Sequence, residues 1–393
     1  MPRGCYLDHA ATAPLDPRVA EEMRPFVSGG WCGNPSSLHA PGRHARAAVD
    51  DARQHVATLL HASPDEIVFT ASGTEASNLA LVGAMTPAPG GHLVTSAFEH
   101  PAVLATARHL EERGWAVTYL PVGADGLVDP DALRRALRPE TRLVSVMVAN
   151  NVVGTIQPWV ELGRIAREHG ALFHTDAVQG VGKLPLDVGA QPIDLLSLSA
   201  HKLGGPQGVG ALFVRRGLRL GPVTHGGGQE GGLRAGTENV PAIVGLGRAA
   251  ELARAEMAVE AARLVGLRDR IIDEVLARLP GAYLIGDRFR RLPGHVCLGF
   301  SGLEGDAIRL LLALDQAGIA VSSGSACSSR HAGEPSHVLA AMGHDQLRAR
   351  GALRISLGRG NDDHDVGYLL DVLPRAVAEL RPLTAGTSPG GEK

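Results

Sequence analysis

Cysteine is scarce in this chain. Four thiols, Cys5, Cys32, Cys297 and Cys327, stand among 393 residues, and no two share a C-x-x-C or other metal-ligand spacing, which argues against a structural zinc site. An excess of charge is also missing. The formal net charge is -3 with no acidic or basic tail, so no direct grip on nucleic acid is expected. The opening residues, MPRGCYLDHAATAP, hold no apolar run of the about 7–15 residues that marks a secretory signal, and no later stretch reaches the roughly 20 of a membrane helix. These absences lead to the expectation of a cytoplasmic protein with reduced thiols and no membrane partner.

What is present describes a globular α/β protein. Hydrophobic residues make up 44% and charged residues 20%, which suits neither a disordered chain nor a membrane protein. From Gly42 to His61 apolar residues fall at helical spacing. Beyond it, short apolar runs (EIVFT, HLVTS, AVTYLPV, RLVSVMVAN, ALFHTDA, DLLSLS, GALFVR) alternate with helical segments such as PAVLATARHLEERG and ELGRIAREHG. Strands separated by helices are the mark of crossover units, hence of a mainly parallel sheet covered on both faces. A long helical pattern, Pro241 to Leu279, carries the chain into a second region that mixes strands (HVCLGF, ALRISLG) with helices. The expected division is a large domain over 1–255, with its first residues able to pack on the small domain, a smaller C-terminal α/β domain over 256–380, and a flexible tail over 381–393.

In parallel sheets ligands bind beyond the carboxyl ends of the strands. That rule selects Thr74, His100, Asn151, Asp176, Ser199, His201 and Lys202. Lys202, between His201 and a Gly-Gly-Pro turn, reads alone as a solvated surface lysine, and Asp176 alone as a capping carboxylate. Together they match a cofactor that needs both. Pyridoxal phosphate (PLP) takes a lysine for its Schiff base and a carboxylate at its pyridine nitrogen. Its phosphate needs a cradle, which the helix start SGTE, with Gly73 and Thr74, can offer. Cys327 lies in AVSSGSACSSRH, among serines and with no large apolar side chain after Val321, so it reads either as a reactive thiol or as an incidental one in a polar loop.

Taken in order, YLDHAAT, GNPSS, SGTE, EHPAV, ANNVVGTIQP, DAVQGVGKLPLD, SAHKLGGPQGVGAL, HGGGQEGGLRAGTENV, SSGSACSS and LRISLGR resemble the group I cysteine desulfurases of the NifS and IscS type, class-V aminotransferases, over about residues 5 to 380. The resemblance implies the fold of type I PLP-dependent transferases, with a mainly parallel seven-stranded sheet in the large domain. It also implies a homodimer that converts L-cysteine to L-alanine and passes sulfur, as a persulfide on Cys327, to an acceptor or scaffold protein. That sulfur would serve iron–sulfur cluster assembly, thiolation or, on a likeness to the DndA type, DNA phosphorothioation. The implied roles are the Schiff base for Lys202, the pyridine nitrogen for Asp176, ring stacking and proton shuttling for His100, and the ring oxygen and substrate side for Gln179 and Asn151. Gly73, Thr74, Ser199 and His201 would hold the phosphate with Thr237 of the partner subunit, and Arg354 would clamp the substrate carboxylate. Arg330 and His331 are candidate activators of the thiol. No resident metal is expected, although Cys327 could ligate a transient iron–sulfur cluster. A selenocysteine lyase or aminotransferase on the same fold, or a non-catalytic sulfur-carrier scaffold, remain the alternatives.

The sequence departs from the resembled pattern at three places. Val152 stands where a glutamate is usual, Ala76 where serine is common, and Gly231 where arginine is usual. The first removes a charge, which puts a local ion pair or proton handling in doubt. Among the lesser residues, Asn34 reads as a turn residue, Arg234 as a loop anchor or dimer contact, His9 as support for a loop near the site, and Cys297 as core.

Overall fold

The computed structural model describes residues 4–87, 89–323 and 335–384. In chain order the strands are β1 (Cys5–Tyr6), β2 (Ile67–Thr70), β3 (His92–Ser96), β4 (Ala116–Leu120), β5 (Thr141–Ser145), β6 (Leu172–Asp176), β7 (Leu195–Ser199), β8 (Gly210–Val214), β9 (Ala282–Leu284), β10 (His295–Phe300), β11 (Ile319–Ala320), β12 (Ser322–Ser323) and β13 (Leu353–Ser356). The α-helices are α1 (Pro17–Val27), α2 (Ala40–Leu60), α3 (Gly73–Met85), α4 (Pro101–Glu112), α5 (Pro130–Ala136), α6 (Trp159–His169), α7 (Val240–Arg278), α8 (Ala307–Gln316), α9 (His337–Ala341) and α10 (Asp363–Thr384).

Seven strands form the central sheet in the order β2-β8-β7-β6-β5-β3-β4. Only β8 runs against its neighbours, because no α-helix lies between it and β7, and so short a return can only make an antiparallel pair. The apolar runs are buried on both faces, as a sheet covered by helices requires. A polar row crosses three of them. Ser145 Oγ and Ser197 Oγ bond to the two ring nitrogens of His174 at 2.8 and 3.0 Å, and burial pushes this imidazole down to about 3, so it stays neutral. A one-residue slip of β6 would break both bonds, so the row fixes register as well as filling space.

The run RLVSVMVAN is shorter as a strand than its apolar content suggests. Pairing as β5 ends at Ser145, although the amides of Val146 and Val148 still reach the carbonyls of His174 and Asp176. The chain then turns because Asn150 Oδ1 accepts from the amides of Val152 and Val153 at 2.8 and 3.1 Å.

A second, antiparallel sheet has the order β12-β13-β10-β9, and β1 pairs in parallel with β11 beside it. Two large apolar clusters result, one around the central sheet and one around the second sheet with α10. Helix α7 belongs to both. Val240, Ile243 and Leu246 pack into the first, and Leu264, Leu267, Ile271 and Val275 into the second. Its 39 residues span roughly 60 Å.

Candidate active site

The strand ends converge on one cavity of about 320 Å³, lined by residues of both sheets. Gly73, Thr74, His100, Asn151, Asp176, Gln179, Ser199, His201, Lys202 and Arg354 all line it. Helix α3 points its first turn at the cavity. Ser72 caps it by accepting from the Glu75 amide, and Gly73 lies so close to Val178 that a Cβ there would come within 2.6 Å of the valine methyl. A helix N-terminus with its amides turned inward attracts an anion.

Lys202 follows β7, and its Nζ donates to the carbonyls of Ala10 and Ala11 at 2.6 and 2.5 Å. Asp176 ends β6. Burial pushes its carboxyl above the usual range, an effect opposed by the charge of His100, the Val178 amide and the charge of Lys202. His100 caps α4, its Nδ1 accepting from the Ala102 amide at 3.1 Å. His201 is held at about 4, first by burial and then by the charges of Lys202 and Lys183, so it meets a ligand as a neutral ring. Arg354 on β13 is only 1% exposed; it donates to Asp8 Oδ1 at 2.8 Å and to the Asn151 carbonyl at 3.0 Å, while its Nε has no protein partner.

The aminotransferase class-V family pattern matches residues 5–369. A cysteine desulfurase IscS from Dictyoglomus turgidum is 48% identical over 98% of this chain and 97% of its own length. Among solved structures, a NifS-like protein superposes with a TM-score of 0.89 at 38% identity, covering 96% of this chain and 100% of that one. DndA from Streptomyces lividans does so with 0.76 at 37%, covering 90% and 99%. This chain belongs to the class-V aminotransferase family, on its cysteine desulfurase branch.

Desulfurases of this family carry PLP, and the residues present fit that group. The inward amides of α3 suit its phosphate, a buried carboxylate at Asp176 suits a pyridinium that neutralises it, and Lys202 lines the same cavity. The unpartnered Nε of Arg354 is a buried donor awaiting an acceptor, which a substrate carboxylate would supply.

Thr237 is exposed and does not line this cavity. Its glycine-rich loop is pinned by ion pairs: Glu230 takes both terminal Arg53 nitrogens at 2.7 Å and the Phe69 amide at 2.8 Å, and Arg234 pairs with Glu75 in the first turn of α3 at 2.9 Å. That pair makes Arg234 a loop anchor. Gly231 has φ of +65°, a backbone that disfavours the arginine usual in desulfurases. Val152 lies in an apolar cluster with Phe98, Met147 and Cys297, so the lost charge is replaced by packing. Ala76 is likewise buried in an apolar cluster. Asn34 turns the chain by accepting from the Ser36 amide at 2.9 Å, and His9 sits behind the site against Tyr6. Cys327, Arg330 and His331 lie outside the described residues.

Sequence reasoning missed the backbone carbonyls of Ala10 and Ala11, which have no side-chain signature. It also missed Glu99, whose position beside His100 in EHPAV could have drawn notice. Glu99 Oε1 accepts from Ser96 Oγ and the Met147 amide, both at 2.8 Å, while Oε2 has no partner. Its backbone carbonyl accepts from His337 Nε2 at 2.9 Å. Burial pushes its carboxyl up to about 8, so the folded desulfurase keeps it protonated. The folded state therefore binds the proton more tightly than the unfolded chain, and stability drains away as pH rises from 4.5 to about 8. Glu99→Gln should remove that slope. Thermal midpoints of the two proteins are expected to converge near pH 5 and to separate in favour of the variant toward pH 8; parallel curves would refute the assignment.

Proposed function

We propose that this chain is a PLP-dependent desulfurase that takes sulfur from L-cysteine, releases L-alanine, and passes the sulfur to acceptor proteins from a persulfide on Cys327. The observation that carries this reading is the convergence of a lysine amine, a buried carboxylate, an imidazole and a buried guanidinium with an unpartnered donor around one cavity. Bound PLP supplies an electron sink conjugated to the substrate Cα.

The chain's own residues do the rest. Lys202 would anchor the cofactor, and its amine would take the substrate Cα proton. Asp176 would hold the pyridine nitrogen protonated, and His100 would cover the ring and move protons at the substrate. Gly73, Thr74, Ser199 and His201 would hold the phosphate, while Gln179 and Asn151 would serve the ring oxygen and substrate side. Arg354 grips the substrate carboxylate, already oriented by Asp8 and the Asn151 carbonyl. The Cys327 thiolate attacks the substrate sulfur; an S–S bond forms, the substrate C–S bond breaks, and its electrons stay with the carbon skeleton that leaves as alanine. Two described contacts support this assignment. Ser322, just before the segment that carries Cys327, stands opposite Arg354 in register, and His337, just after it, bonds to Glu99 beside His100.

The working unit is a homodimer in which Thr237, exposed on its own protomer, serves the partner's phosphate site. The setting is the cytoplasm; among the described residues no helix is long and apolar enough to cross a membrane. Mass spectrometry after incubation with L-cysteine tests the reading. Wild type should gain one sulfur atom on Cys327, and Cys327→Ala should gain none while forming alanine about a hundredfold more slowly. An undiminished rate with L-cysteine would remove the persulfide role, and activity confined to selenocysteine would favour the lyase. Candidate carriers, scaffolds and phosphorothioation proteins, added in turn, then identify the acceptor.

A further inference from the structure

Behind the main cavity lies a second one of about 290 Å³, whose wall includes His9, Lys183, Glu260 and Arg359. Lys202 stands in the wall of both cavities. Lys183 has no part in the mechanism above, yet it touches the site through one residue. Its Nζ donates to Gln179 Oε1 at 3.3 Å, and Gln179 Nε2 donates to the Ala10 carbonyl at 2.9 Å, the same carbonyl that takes Lys202 Nζ.

These partners settle which way the Gln179 amide faces. An ammonium only donates and a carbonyl only accepts, so Oε1 must turn to Lys183 and Nε2 to Ala10. That leaves the second N–H of Nε2 as a donor on the cavity side. A positive charge on the amide oxygen strengthens the N–H as a donor, because hydrogen bonds in series polarise one another.

We propose that Lys183 is a positioning residue, which locks the Gln179 amide as a donor toward the cofactor's ring oxygen and holds a positive charge behind Lys202. The inference rests on the PLP reading above. The charge has a definite sign of effect: a cation behind the site disfavours a proton on the nitrogen that joins Lys202 to the cofactor, so removing it raises that nitrogen's affinity for a proton. Burial, with the charge of Lys202, pushes the Lys183 amine down to about 7, so the group sits where modest fields decide its state. The groups that face it are His9, Glu260, Glu256, Asp16 and Arg359 around the second cavity, Lys202 and His201 beside it, and His295. Negative charge on a bound phosphate and ring oxygen favours its ammonium form.

The test is a spectrophotometric pH titration of the visible cofactor band in the full-length, PLP-loaded protein, without substrate. Lys183→Met and Lys183→Gln should raise the midpoint by about one pH unit, about tenfold in proton affinity, and Lys183→Arg should return it to the wild-type position. Lys183→Gln can still donate to Gln179, so a shift in both neutral variants assigns the effect to charge. If Lys183→Met does not fold, Lys183→Gln against Lys183→Arg decides the matter. Midpoints of the neutral variants within about 0.2 units of wild type, or an Arg variant that shifts as far as they do, overturn the role of Lys183. A wild-type protein that gains no visible band overturns the cofactor reading and this inference together, a result distinct from unmoved midpoints.

Discussion

Lys202→Ala should lower alanine formation from L-cysteine by a factor of about a thousand or more. Two contributions vanish at once: the covalent anchor of the cofactor and the amine that removes the Cα proton, a positioned proton transfer being worth about 10²–10⁴ on its own. The fold should survive, because the Ala10 carbonyl keeps Gln179 as a donor after the ammonium is gone. Steady-state alanine assays together with the visible spectrum check both halves. The variant should also lack the wild-type cofactor band, and a turnover within tenfold of wild type would discard Lys202 as anchor and base.

Arg354→Ala is expected to lower kcat/KM by about 10²–10³, mainly through KM, because two charge-assisted hydrogen bonds to the substrate carboxylate disappear. Arg354→Lys should recover only part of this, since a point charge cannot reproduce the planar fork that also holds Asp8 and the Asn151 carbonyl. A second consequence separates this residue from Lys202. Removing the guanidinium strands Asp8, so the Ala variant should lose about 2–3 kcal/mol of stability, less than the 3–5 of a fully buried pair because Asp8 keeps some exposure. Denaturant titration measures that loss. An Ala variant with wild-type KM for L-cysteine would show that the carboxylate binds elsewhere.

The central sheet was readable because its strands are short apolar runs bounded by turn residues, and β6 and β7 end on Asp176 and Ser199, where polarity returns. Helix α1 escaped the reading although Val19, Met23 and Phe26 fall at helical spacing behind an Asp16 cap and Pro17, because the segment is short and Pro25 interrupts it. The strands β1, β11 and β12 are two residues each, too short for periodicity to register. At the site, side chains with unusual chemistry announced themselves, while contributions made by backbone did not. Ala10 and Ala11 are alanines in a segment that crosses from β1 to the cavity, and only the folded path brings their carbonyls to Lys202. Lys183 and Glu99 lay inside recognised motifs, but their interest comes from burial beside other charged groups, which spacing along the chain does not encode.

One helix, α7, supplies side chains to both apolar clusters, and this bears on how the protein comes apart. Melting either cluster exposes the apolar side chains that its end of the helix had buried, so the unfolding of one cluster is coupled to that of the other through a shared element. The same strut joins the wall that carries Lys202 and Asp176 to the sheet that carries Arg354, so the relative placement of the two halves of the catalytic cavity depends on the straightness of one helix.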